Sequence, residues 1–161
     1  MPTGVKERPV SLSVLDRLID QEPERKLELP LTRAQSLREL KAAVRRDLEW
    51  LLNTRRMIVP VPDSLKELQR SLFIYGLPDI SSLYLHSSDA QEILLRSIKQ
   101  AVNLFEPRLL NVKVVLEPTA DEARIIRFGI EGLLRIDPAP EPVIFDTVLE
   151  PVSGQYQIRS S

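Results

Sequence analysis

Apolar residues change their period once along this chain. Up to Phe105 they recur every three or four residues, the spacing of one helix face; from Leu109 onward they alternate, the spacing of one strand face. The first stretch, 11–20, places Leu12, Leu15, Leu18 and Ile19 at helical spacing, with Asp16, Arg17 and Asp20 between them. Pro23 and Pro30 then stand among charged residues over 21–31, which reads as a mobile linker. No Pro or Gly interrupts 32–53. Leu37, Leu40, Val44, Leu48, Leu51 and Leu52 form a stripe there, opposite Arg38, Glu39, Lys41, Arg45, Arg46 and Glu49. The pattern predicts a helix over 33–53, with Thr32 as N-cap and Asn53 as terminator. Arg55 and Arg56 follow where the helix dipole favours cations.

Val59-Pro60-Val61-Pro62 forces an extended connection. A short helix is expected over 64–73, then a turn at Tyr75-Gly76-Leu77-Pro78-Asp79. Ser87 or Ser88 suits the N-cap of a helix over 88–105, and Ser88 with Gln91 has capping-box spacing. Pro107 closes that helix. Strands are expected from Leu109 to Leu116, from Arg124 to Ile136, from Val143 to Leu149 and from Tyr156 to Arg159. Gly129 and Gly132 are candidate bulge or close-approach sites. Helices first and strands after predict an α+β fold ending in an antiparallel meander of three to four strands. Residues 1–31 are read as a helix and linker, and 32–161 as a single domain.

The 161 residues, 43% hydrophobic and 28% charged, suit one ordinary globular domain. Lys plus Arg is 22 and Asp plus Glu is 23, a net charge of -1, which argues against a dedicated nucleic-acid binder or a polybasic membrane-surface protein. With no cysteine and only His86, thiolate sites, disulfides and a multi-histidine metal site are excluded. No signal segment or membrane-length apolar run is visible, so a cytoplasmic protein is expected. The glycines, at 4, 76, 129, 132 and 154, form no phosphate loop; no serine sits in a nucleophile elbow, and no pair of acids stands out. The expectation is a protein without catalytic residues, cofactor or metal.

Two segments invite a contact role. Asn53-Thr54-Arg55-Arg56 is basic, although such charge also simply complements a helix terminus. Glu106-Pro107-Arg108 fixes opposite charges beside a proline at a helix-to-strand junction; it suits either a docking surface or a local ion pair. An open antiparallel sheet also leaves edges that accept a strand from another chain, unless the short last segment covers them. His86 reads as a surface or capping residue, Arg124 and Arg127 as solvent-facing, and Trp50, off the apolar stripe of its helix, as either packed against the N-terminal elements or a contact anchor, the first being preferred.

Four segments in order carry a family resemblance: Ser13-Val14-Leu15-Asp16-Arg17-Leu18, Arg46 to Arg56, Ser71 to Asp79, and Phe105-Glu106-Pro107-Arg108-Leu109. Together they resemble the TssE baseplate proteins of type VI secretion, which are similar to the wedge and sheath-initiator protein of contractile phage tails. The resemblance implies a structural baseplate role and partners in the wedge proteins TssF and TssG. It further implies sheath initiation with TssB and TssC through exchanged β-strands. It assigns wedge docking to Glu106, Pro107 and Arg108. Asp16, Arg17, Asn53, Arg55, Arg56 and Tyr75, within the matching segments, are candidate interface residues. The lysozyme activity in the family's common label is not carried over, because no acid and nucleophile are marked. The alternatives are a regulatory adaptor of the same fold that binds a signalling protein, and a peptidoglycan-cleaving enzyme. On the baseplate reading, removing the chain from Val143 on is expected to stop sheath growth and spare the wedge contact.

Overall fold

The computed structural model describes residues 10–19, 32–79, 87–118, 125–150 and 153–160. The chain forms two compact units, Met1–Val44 and Arg45–Ser161.

In the first unit, helix α1 spans Val14–Leu18. It is shorter than the expected 11–20 because Ser13 and Ile19 at its two ends hold extended backbone angles. The Ser13 oxygen accepts from the Asp16 N–H at 3.1 Å and caps the helix. No residue of α1 is buried. Helix α2 spans Arg33–Asn53 and continues into the second unit. Thr32 caps it as expected, within a reciprocal box: Thr32 Oγ1 accepts from the Gln35 N–H at 3.3 Å, and Gln35 Oε1 accepts from the Thr32 N–H at 2.9 Å. Ser36 is buried; its hydroxyl donates to the Arg33 carbonyl and its oxygen accepts from the Val10 N–H, each at 2.9 Å.

In the second unit, helix α3 spans Ser88–Phe105. Ser87 is its cap and accepts from the Ala90 N–H, so Ser88 is the first helical residue and not the cap facing Gln91. The helix expected over 64–73 is replaced by two 3-10 turns, Leu68–Arg70 and Leu72–Ile74. Ser71 between them is extended. Its hydroxyl donates to the Leu68 carbonyl and its oxygen accepts from the Phe73 N–H, which satisfies the backbone without an α-helix. Leu65 and Leu72 are exposed, so no buried stripe holds a longer helix together here.

The strands are β1 (Leu109–Leu116), β2 (Ile126–Leu134), β3 (Glu141–Glu150) and β4 (Gln155–Ser160). They form one antiparallel sheet in the order β1-β2-β3-β4, the expected meander. β2 starts at Ile126 rather than Arg124, which lies outside the described residues. β3 starts at Glu141 rather than Val143; Pro142 opposes Leu133 near the strand end, where a missing donor is tolerated.

Register puts Ile126, Phe128, Ile130 and Leu134 of β2 on one face, with Phe145, Thr147 and Leu149 of β3 and with Tyr156 and Ile158 of β4. These residues are buried, as are Leu48, Leu51 and Leu52 of α2 and Leu94, Ile98 and Val102 of α3; they make the core of this unit. Phe128 and Tyr156 meet edge to face at 6.3 Å. The irregularity sits on β1, where the register shifts between Leu110 and Lys113 and Asn111 takes a φ of 54°. An extra β1 residue thus faces Gly132. A Cβ on Gly132 would lie 3.2 Å from the Leu110 carbonyl, a close approach, whereas Gly129 has ordinary room. Among the described residues, no helix is long and apolar enough to cross a membrane.

Candidate functional site

The junction between α3 and β1 is built by Glu106. Its backbone N–H donates to the Val102 carbonyl at 2.9 Å, closing the helix, and its own carbonyl accepts from the Leu109 N–H at 3.1 Å, starting the strand. Pro107 between them stands exposed at the turn.

The Glu106 side chain is 4% exposed. A carboxylate so buried needs charged donors, and Arg108 supplies them. Arg108 Nε donates to Glu106 Oε1 at 2.6 Å, its backbone N–H to the same oxygen at 3.2 Å, and its Nη2 to Glu106 Oε2. This is a two-pronged guanidinium–carboxylate pair within three residues. Nη2 also donates to Asp47 Oδ2 at 2.6 Å, joining the junction to α2. The other Asp47 oxygen accepts from Arg46 Nε and Nη2 at 3.0 and 2.8 Å. Burial opposes the charge of Arg108, but the hydrogen bonds and charges of Glu106 and Asp47 outweigh it and raise its pKa above the usual arginine value.

Aromatic rings border this chain of charges. Tyr75 meets Phe105 edge to face at 5.1 Å. Burial, then the Asp47 and Glu106 charges, raise the Tyr75 hydroxyl above the usual tyrosine pKa. Trp50 was expected to pack, but it is 56% exposed. It lies off the buried stripe of Leu48, Leu51 and Leu52, and the Arg46 guanidinium covers its ring at 5.0 Å from the centroid. An open hollow of about 220 Å³ is lined by Asp47, Trp50, Tyr75, Phe105, Glu106 and Arg108, among others.

The structure thus gathers Glu106, Arg108 and Tyr75 at one place. Asp47, Arg46 and Trp50 complete that place but were not singled out from the sequence as site residues. The signals in the sequence were their position in the segment from Arg46 to Arg56 and, for Trp50, its place off the apolar stripe of the helix.

Asn53, Arg55 and Arg56 serve other contacts. Asn53 Nδ2 donates to the Tyr156 carbonyl and Oδ1 accepts from the Tyr156 N–H, both at 2.9 Å. Arg55 Nη2 donates to the Gly154 carbonyl at 2.8 Å. The Arg56 N–H donates to the Leu77 carbonyl, and the Leu77 N–H donates to the Thr54 carbonyl, each at 2.9 Å. Asp16 and Arg17 lie on α1 in the first unit. Arg127 is exposed on β2, and His86 lies outside the described residues.

The arrangement is one of satisfied ion pairs. Among the described residues, no group of three or more His, Cys, Asp or Glu is placed to hold a metal ion. What it can offer chemically is a fixed guanidinium, an exposed proline and aromatic faces, groups suited to recognition. Compared with models of known protein families, the chain matches the family described as baseplate wedge protein gp25 over residues 38–139. No curated protein and no solved structure matches it.

Proposed function

Because this chain belongs to the baseplate wedge protein gp25 family, a family of structural baseplate components, we propose that it is the TssE-like protein of a type VI secretion baseplate, working in the cytoplasm. In this reading it docks on the wedge proteins TssF and TssG through Glu106, Pro107 and Arg108. It then starts growth of the TssB–TssC sheath by strand exchange. It has no catalytic step; contacts alone do the work.

The observation that supports the docking assignment is the immobilised Arg108. Two carboxylates hold its guanidinium, so little side-chain freedom remains to be lost on binding. The exposed Pro107 and the Trp50 ring flank it and offer rigid contact area. Asp16, Arg17 and Arg56 are further contact candidates by resemblance. Asn53, Arg55 and Tyr75 would combine such a role with the internal contacts described above.

The test is an affinity pull-down from the native cell, read by mass spectrometry, with wild type, Arg108→Ala and Trp50→Ala. Wild type is expected to recover wedge and sheath proteins, and both variants to lose the wedge set. Trp50→Ala leaves the ion pairs intact, so its loss of wedge proteins is not a folding defect. Unchanged wedge recovery in both variants would move the docking site elsewhere, and recovery of a single signalling protein by wild type would replace the baseplate reading with the adaptor.

A further inference from the structure

A four-stranded meander has two edges, and here they are not equivalent. In an antiparallel ladder, every second residue of an edge strand turns its N–H and C=O away from the sheet. On β4 the outward residues are Tyr156 and Ile158, two apart in the strand, whose backbone groups meet side chains of α2 rather than β3. Three of their four outward groups are already engaged. Asn53 takes both the N–H and the C=O of Tyr156, as a neighbouring strand would, and Glu49 Oε1 accepts from the Ile158 N–H at 3.4 Å. Side chains of α2 therefore close the β4 edge.

On β1 the Glu117 N–H donates to the Arg127 carbonyl at 2.9 Å, so residues 113, 115 and 117 bond inward to β2. Val114 and Leu116 turn their backbone groups outward. Among the described residues, nothing bonds to them there. Their side chains share the core face with Ile130 and Phe128, yet Leu116 is 37% exposed and Val114 half-buried. At this edge an apolar row and a hydrogen-bonding row are left open together. One occupant satisfies both: an extended backbone with apolar side chains at alternate positions. A helix face would cover the apolar row and leave the outward N–H and C=O groups unpaired.

We infer that an extended strand of another protein adds to the sheet along β1 at Lys113–Leu116, and that the β4 edge does not receive it. This rests on the strand-exchange reading above and specifies its edge. It makes Asn53 and Glu49 guards that keep β4 from competing.

The test places the photo-crosslinker p-benzoyl-phenylalanine at Val115 or, separately, at Gln157 in the full chain in the native cell. Both positions are exposed on the solvent face of their edge strands. The expected result is an adduct at Val115 that maps to an extended segment with alternating apolar residues, and none at Gln157. Leu116→Pro removes an outward donor while sparing the β2 ladder, and is expected to lower that adduct by about tenfold or more. Val114→Lys, which keeps the backbone donor, is the second variant should Leu116→Pro fail to fold. An adduct with a sheath protein supports both the edge and the sheath role. An adduct with another protein that meets the same two criteria supports the edge and removes the sheath role. Sheath recovery without a β1 adduct leaves the role and overturns the edge. An adduct at Gln157, an adduct of this chain with itself, or insensitivity to both variants also overturns the edge.

Discussion

Arg108 is the residue on which the junction turns, because Glu106 is buried with Arg108 as its guanidinium partner and Asp47 shares the same Nη2. Removing one partner of such a pair leaves an uncompensated charge, so Arg108→Ala is expected to lower unfolding free energy by about 3 kcal/mol. Urea unfolding measures this directly. Tyr156 gives a second prediction. Its ring is buried and its hydroxyl has no hydrogen-bond partner among the described residues. Burial pushes its pKa up to about 12 from the ordinary 10.0. The folded state then holds the proton over a window in which the unfolded state loses it. This contribution is complete below about pH 10 and declines from there to about pH 12, by up to about 3 kcal/mol. Tyr156→Phe is expected to flatten that alkaline decline in Tm, and to stabilise the protein at neutral pH by about 1 kcal/mol, since no partner is left unpaired.

At the scale of elements, two small features tie segments that are distant in sequence. Asn53 at the end of α2 bonds both backbone groups of Tyr156 on β4. Asn53→Ala is expected to cost about 1–3 kcal/mol and to speed hydrogen exchange at the Tyr156 amide, leaving β2 amides unchanged. Gly76 has a φ of +101°, and a Cβ there would lie 2.3 Å from the Thr54 carbonyl. That carbonyl accepts from the Leu77 N–H, so Gly76→Ala should break the Arg55–Leu77 bridge. A loss of about 2–3 kcal/mol is expected by thermal or urea unfolding.

At the scale of the whole molecule, β3 is an interior strand, paired with β2 on one side and β4 on the other. Deleting the chain from Val143 removes Phe145, Leu149 and Tyr156 from the core. Such a truncation is expected to lose cooperative unfolding altogether, read by calorimetry. It therefore does not separate sheath growth from wedge contact, and edge substitutions on β1 do.

The periodic segments were legible from the chain alone. The stripe from Leu37 to Leu52 and the alternation after Leu109 are local patterns, and α2, α3 and the four strands follow them. The 64–73 segment failed because its leucines find no surface to bury against, which periodicity cannot reveal. Glu106-Pro107-Arg108 stood out because its charges are neighbours in sequence and proline stiffens them. Asp47 did not stand out, since its partner lies 61 residues away. Trp50 lies off the apolar stripe, which favoured packing on another element over a contact role; in the fold the ring stays exposed and Arg46 covers its face.

The sequence by itself determined the two long helices, the four strands and their order, and that a carboxylate and a guanidinium stand together beside a proline at the junction. Those outcomes depend on side-chain period, caps and proline, all set within a few residues. Tertiary structure alone decided that Asp47 completes the ion-pair chain, that Trp50 stays exposed, and that α2 closes the β4 edge while β1 remains open. Each of these depends on groups 60 or more residues apart or on what fails to cover a surface, and only the folded chain brings such groups together or leaves them bare.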